Sequence, residues 1–234
     1  MEWKSQLWIL ATLGIGFSSA AAEVEIDRQR SVFAVVTHKA GLASGLAHNH
    51  LAAAAAYEAR LDFDGTAPLA ASFELTFAAD GLEIDRPDLQ RAWYPRLEAL
   101  GILDQPFGVV SEKDRGKIRA AMLSMRQLDG ARFPRLAARL AGIEERASTL
   151  GEVSFPYAVT LALEVHGETV VRSVAARYEL TGGELLVEAA GTFRFTDFGI
   201  RPYSAALGMV KNADEFHVFL HLRGSVAEPG EPTD

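Results

Sequence analysis

The 234-residue sequence contains no cysteine, which removes thiolate catalysis, iron–sulfur clusters, Cys-ligated zinc and disulfide stapling together. It is also short of basic residues. Its 23 Lys and Arg against 31 Asp and Glu leave a net charge of −8, a field that repels nucleic-acid phosphates and anionic lipid headgroups. A nucleic-acid partner is therefore not expected. No P-loop, G-x-G-x-x-G or HExxH is present, and Gly41-Leu42-Ala43-Ser44-Gly45 places its serine one position late for G-x-S-x-G. With no catalytic motif and no cofactor motif, the reading is of a protein that is not an enzyme.

Long apolar runs are lacking too. Leu7 to Phe17 is an apolar stretch of 11 residues, preceded by Lys4 and followed by Ser18, Ser19 and Ala20 to Ala22. This is the layout of a signal peptide cleaved after Ala22. Eleven residues span about half of a ~30 Å hydrocarbon core, so an uncleaved anchor is the weaker alternative. The organisation that follows is a signal peptide at 1–22, one domain at 23–227 and a disordered tail at 228–234. The expected location is the periplasm, or outside the cell.

What the sequence does have is alternation of period two, the pattern of half-buried strands. Val32, Ala34 and Val36 alternate with Phe33, Val35 and Thr37. Ala53, Ala55, Tyr57, Ala59, Leu61 and Phe63 oppose Glu58, Arg60 and Asp62. Leu69 to Phe77, Tyr157 to Val165, Thr169 to Leu180, Glu184 to Phe195 and Phe216 to Arg223 continue it, with Gly182-Gly183 as a two-residue hairpin. With Leu136 to Ala141 the count is about eight strands, all-β and antiparallel. One apolar face per strand favours a closed barrel over a sandwich, because closure leaves no pairing edge. Between Asp85 and Gly130 the pattern breaks into a long loop and one inserted helix. That helix is N-capped by Ser111 and striped by Ile118, Ala121, Met122, Met125 and Leu128.

The six histidines are the main chemical material. His48 and His50 point the same way on an extended chain and, with His38, form a candidate metal set. The alternation places the pair with Glu58 and Arg60, at the rim or outside, so hydrogen-bonded structural residues and polar pocket groups are the other readings. His217 and His221 read as solvent-facing, and His166 as a turn residue. Asp62 and Asp64 share a face like paired catalytic carboxylates, but their position before Gly65-Thr66-Ala67-Pro68 reads as a solvated turn.

The remaining signal is apolar volume. Phe73, Leu75, Phe77, Tyr157, Val159, Leu161, Phe193, Phe195 and Phe198 are candidate lining for a pocket. The small residues Ala53, Ala55, Ala59, Ala71, Ala189 and Gly191 leave space between them. An eight-strand barrel is just wide enough either to be filled by side chains or to hold one small ligand.

Three motifs in order resemble the YceI-like family. They are Ile26-Asp27 through Val32, Val36, His38 and Gly41; Arg132-Phe133-Pro134 before a strand; and Thr192-Phe193 with Asp197-Phe198-Gly199-Ile200, followed by Asp214 and an apolar strand. The resemblance spans about Glu23 to Ala227. It implies an exported, lipocalin-like barrel that holds an isoprenoid chain of quinone or polyprenyl type, sequestering or carrying it, with a membrane redox partner as a further candidate. In that setting His38, His48, His50 and Asp197 are candidate polar groups at the mouth. Two departures stand out: His48-x-His50 itself, and the size of the Asp85–Ser111 insertion. A metal protein or metal-dependent enzyme using His38, His48 and His50, and a structural or adaptor barrel, are the alternative functions.

Overall fold

The computed structural model describes residues 22–41, 48–205 and 209–226. Residues 1–21 of the expected signal peptide, the Gly45 region and the tail lie outside these residues, while Ala22 is the first residue of the first strand. Among the described residues the chain forms twelve strand segments that fill eight barrel positions. Strands β1 (Ala22–Ile26) and β2 (Val32–Ala40) run end to end along the 17-residue β12 (Val210–Val226), pairing Val24 with Val226 and Val36 with His217. Likewise β3 (His50–Ala54) and β4 (Glu58–Phe63) share one position, and β5 (Ser72–Ala78) and β6 (Leu82–Ile84) the next. Strands β7 (Arg135–Leu150), β8 (Val153–Val165), β9 (Glu168–Thr181) and β10 (Glu184–Arg194) follow as antiparallel hairpins back to β12. A two-residue segment, β11 (Ser204–Ala205), pairs with β12 near its start.

The turns follow from local chemistry. At the β9–β10 hairpin Gly182 and Gly183 take φ of +57° and +78°, the left-handed values that a two-residue turn needs and that glycine adopts without strain. His166 and Gly167 make the same kind of turn between β8 and β9. Strand β7 has 16 residues where the alternation marks only Leu136 to Ala141, because its continuation, Glu144 to Thr149, is exposed and carries no apolar face.

The insertion holds two helices, not one helix and a loop. Helix α1 spans Pro87–Ala99 and α2 spans Glu112–Leu123. Trp93-Tyr94-Pro95 reads as a breaker in sequence, yet Pro95 lies inside α1. Packing outweighs the lost backbone donor: Leu89, Trp93, Leu97 and Leu100, spaced three or four apart, lie against the outer face of the barrel. That face supplies Val32, Ala34, Val36, Leu51, Ala53, Ala190 and Phe219. The C-terminal end of α1 rests on the β7–β8 turn, where Glu152 N donates to Ala99 O at 2.9 Å. A Cβ on Gly151 would come within 2.2 Å of that carbonyl, so only glycine admits the contact.

The molecule thus has two apolar cores. One is inside the barrel and the other is between its outer wall and α1. Helix α2 begins as expected, with Ser111 Oγ accepting from Asp114 N at 3.1 Å. It buries no residue fully, but Ile118, Met122 and Leu123 pack toward the barrel interior, while Met125 beyond its end is exposed. No helix among the described residues is long and apolar enough to cross a membrane.

Candidate functional site

The barrel interior is hollow. An inner cavity of about 160 Å3 is walled by Phe73, Leu75, Phe77, Tyr157, Val159 and Leu161, together with Phe33, Ala138, Ala176 and Ala189. A second cavity of about 270 Å3 lies toward the mouth, under Ile118, Ala121 and Met122 of α2, with Phe195, Phe198, Ile200 and Phe216 opposite. Val35, Ala52, Phe77, Leu82 and Leu163 line both, so the two form one apolar path. A dry apolar hole of ~150 Å3 already holds a benzene-sized guest. The space exists where alanine faces the interior instead of a larger residue.

Phe193 differs from the other candidate lining residues. It is 1% exposed and packs behind the wall against Phe198 and Phe216, with ring centroids 6.1 Å away in each case, so it supports the mouth without facing it. The turn at Phe195–Phe198 is held by Asp214, whose carboxylate accepts from Thr196 N at 3.0 Å and from Thr196 Oγ1 at 2.7 Å. This is the physical content of the Asp197-Phe198-Gly199-Ile200 motif: a pinned turn that lays Phe195 and Phe198 at the mouth beside Phe216 of β12. Asp197 is spent on Arg172, at 2.6 Å, and is not among the lining residues.

The histidines are sorted by which face of the wall they occupy, and several expectations are corrected. The strand read as continuous from Ala53 to Phe63 is two segments, with a bend at Ala55-Ala56 that reverses the phase. Odd residues face inward in β4, even ones in β3. His50 therefore faces the mouth cavity, not the side of Glu58 and Arg60. His38 stands on the opposite, outer face, where its Nε2 lies 2.8 Å from His217 Nδ1. His48 is exposed beside Gly108, so close that a Cβ there would sit 2.0 Å from its Nδ1. The set His38, His48 and His50 is thus not brought together, and no group of three metal-ligating side chains occurs among the described residues. Asp62 accepts from Ser72 Oγ at 2.9 Å and Asp64 from Thr66 Oγ1 at 2.7 Å, as turn residues do.

His217 and His221, read as solvent-facing, are covered. His221 donates through Nδ1 to Glu188 at 3.0 Å beneath Trp93, and Glu188 also accepts from Arg96 of α1 and Arg177 of β9. Burial alone would raise the Glu188 carboxyl; the hydrogen bonds from His221, Arg96 and Arg177 outweigh it and hold the group far below the usual carboxylate range. Sequence could not reveal the covering, because α1 itself was read as a loop.

Burial, reinforced by the neighbouring His38, lowers His217 to about 4, and burial lowers His38 in the same direction against the opposing charge of Asp104. An unfolded histidine titrates near 6.5. Between those values the unfolded chain binds protons that the folded chain refuses, so stability is complete above pH ~6.5 and falls as pH drops toward 4. Discounted for the solvent that reaches these rings, the expected loss is about 1–2 kcal/mol. Urea midpoints from pH 7 to 4.5 check it: His217→Gln should flatten the profile, and an unchanged slope in that variant would remove the pair as its source.

The geometry defines an eight-stranded antiparallel barrel with a hollow apolar interior. No family model matches the sequence, and no curated protein matches it. The fold is shared with BcnA of Burkholderia cenocepacia, at 13% identity and a TM-score of 0.57 over 86% of this chain and 100% of that one. It is shared also with a mutant Campylobacter jejuni YceI protein, at 9% identity and a TM-score of 0.50 over 76% of this chain and 85% of that one. A polyisoprenoid binding domain from Saccharophagus degradans aligns at 9% identity and a TM-score of 0.47, over 88% of this chain and 99% of that one. The fold is the YceI fold, as the sequence motifs imply.

Proposed function

We propose that this protein is an exported binding protein that sequesters or carries an isoprenoid or similar amphiphilic lipid in its barrel. The observation that carries the reading is the continuous path of the two cavities, apolar in its inner part, with aromatic rings and α2 at its mouth. Burial of a methylene contributes about 0.8 kcal/mol, so roughly fifteen chain carbons yield on the order of 12 kcal/mol, offset by 4 or more for association and for ordering the chain. Micromolar or tighter affinity follows with no charged contact. The periplasmic location rests on the signal-peptide layout of residues 1–22. The choice of quinone or polyprenyl lipid as guest rests on the YceI-like motifs. A membrane redox partner would follow from a quinone guest.

The test is mass spectrometry of an organic extract from protein purified under native conditions. A prenyl lipid at near-stoichiometric amount is the expected result. A clean extract, together with no uptake of added prenyl lipid by the stripped protein, would overturn the reading.

A further inference from the structure

The inner cavity is walled almost wholly by apolar side chains, whereas the mouth cavity also has Thr37, His50, Lys117, Gln127 and Asn212 in its lining. Thr37 of β2 and His50 of β3 stand opposite each other in register and both line the mouth cavity. Two residues further in along each strand, the pair Val35 and Ala52 lines both cavities. Thr37 Oγ1 is buried and has no hydrogen-bond partner, an omission a native interior makes rarely and for a reason.

His50 is held by Asp85, which is 1% exposed and has a φ of +50°. The Asp85 carboxylate receives Leu51 N at 2.9 Å, Gln90 Nε2 at 3.0 Å and His50 Nδ1 at 2.6 Å. Leu51 N and Gln90 Nε2 donate to Asp85 Oδ1 and leave Oδ2 to His50 Nδ1; a carboxylate there accepts, so a neutral ring carries its proton on Nδ1. In the neutral ring Nε2 is then an acceptor, and it has no hydrogen-bond partner among the described residues. Across the β2–β3 register stands Thr37, whose unpaired hydroxyl can donate. Such a pair complements one chemical group, a hydroxyl, which gives its proton to Nε2 and accepts one from Thr37.

We propose that Thr37 and His50, with Asp85 as the positioning residue, form a seat for the ligand's head and select an alcohol, phenol or hydroquinone over an ether or quinone. This inference rests on the carrier reading above and adds the chemistry of the head. The tail passes Val35 and Ala52 into the inner cavity. An ether or carbonyl oxygen satisfies Thr37 and leaves Nε2 unpaired.

Calorimetric titration of the full chain with farnesol and with farnesyl methyl ether tests it, since the two share a tail and differ in the donor. Wild-type protein should bind farnesol about tenfold more tightly, the value of one good hydrogen bond. In Asp85→Asn the new amide N–H faces Nδ1 and shifts the ring proton to Nε2, which should erase or reverse the preference; Asn accommodates the positive φ. Thr37→Val should weaken both probes by several-fold. Equal affinity of the wild type for the two probes, or an undiminished preference in Asp85→Asn, overturns the seat while leaving the carrier standing. Failure of both probes to bind overturns the carrier reading itself.

Discussion

Leu161→Trp should abolish lipid retention while leaving the barrel folded. Leu161 faces the inner cavity from the middle of β8, with Leu140 beside it on β7. In a close-packed core an added ring costs about 1–3 kcal/mol, because neighbours must leave their rotamers. Here the indole has about 160 Å3 of empty space to enter, so it takes the guest's place instead. The expected signature is therefore a dissociation: extracted lipid falls at least tenfold while the urea midpoint moves by less than about 1 kcal/mol. Phe73→Trp, on β5 two strand positions away, should do the same. Full occupancy in both variants would place the guest elsewhere. A large loss of stability in both would mean that the wall has no room to spare.

The second large effect is expected at Glu188, on the outside of the barrel. This residue is 1% exposed and is the common acceptor for Arg96, Arg177 and His221, so it ties α1 to β9, β10 and β12. Glu188→Ala leaves the Arg96 guanidinium without a counter-charge and Arg177 with Glu179 alone. Breaking a buried pair from one side costs about 3–5 kcal/mol. Arg96→Ala should cost less, about 1–3 kcal/mol, because Arg177 and His221 still satisfy the carboxylate. Trp93 reports on the site directly. It is the one tryptophan outside residues 1–22, and its ring centroid lies 4.8 Å from that of His221, tilted, and 5.6 Å from that of Phe219, edge to face. Its emission should move to the red in Glu188→Ala as the helix loosens, ahead of global unfolding. A variant with wild-type midpoint and wild-type emission would show that apolar contacts alone hold α1.

The two effects separate the functions of the two cores. The inner one encloses empty space. The outer one is filled, clasped by charge, and holds the β2–β3 wall on which Thr37 and His50 stand.

Much of the inner wall was legible in the sequence. Phe73, Leu75 and Phe77, and Tyr157, Val159 and Leu161, lie on strands where one face is apolar and the other polar, and such a face has only one place to go. The unexpected members of the site are Thr37, Asp85 and the α2 side chains. Thr37 alternates like a lining residue, but nothing in the pattern marks its hydroxyl as unpaired. Asp85 precedes Arg86-Pro87 and reads as the start of a loop. It becomes a ligand for His50 only because β6 pairs with β3.

The sequence by itself determined the antiparallel barrel, its inward aliphatic strips and its hairpins, because alternation and turn chemistry act over a few residues at a time. The tertiary structure alone decided which histidine faces the guest. A bend of two alanines reverses the strand phase between Ala54 and Glu58, and α1 turns the outer surface of the barrel into a second interior. Both depend on segments far apart in the chain coming into contact, and no local periodicity encodes that.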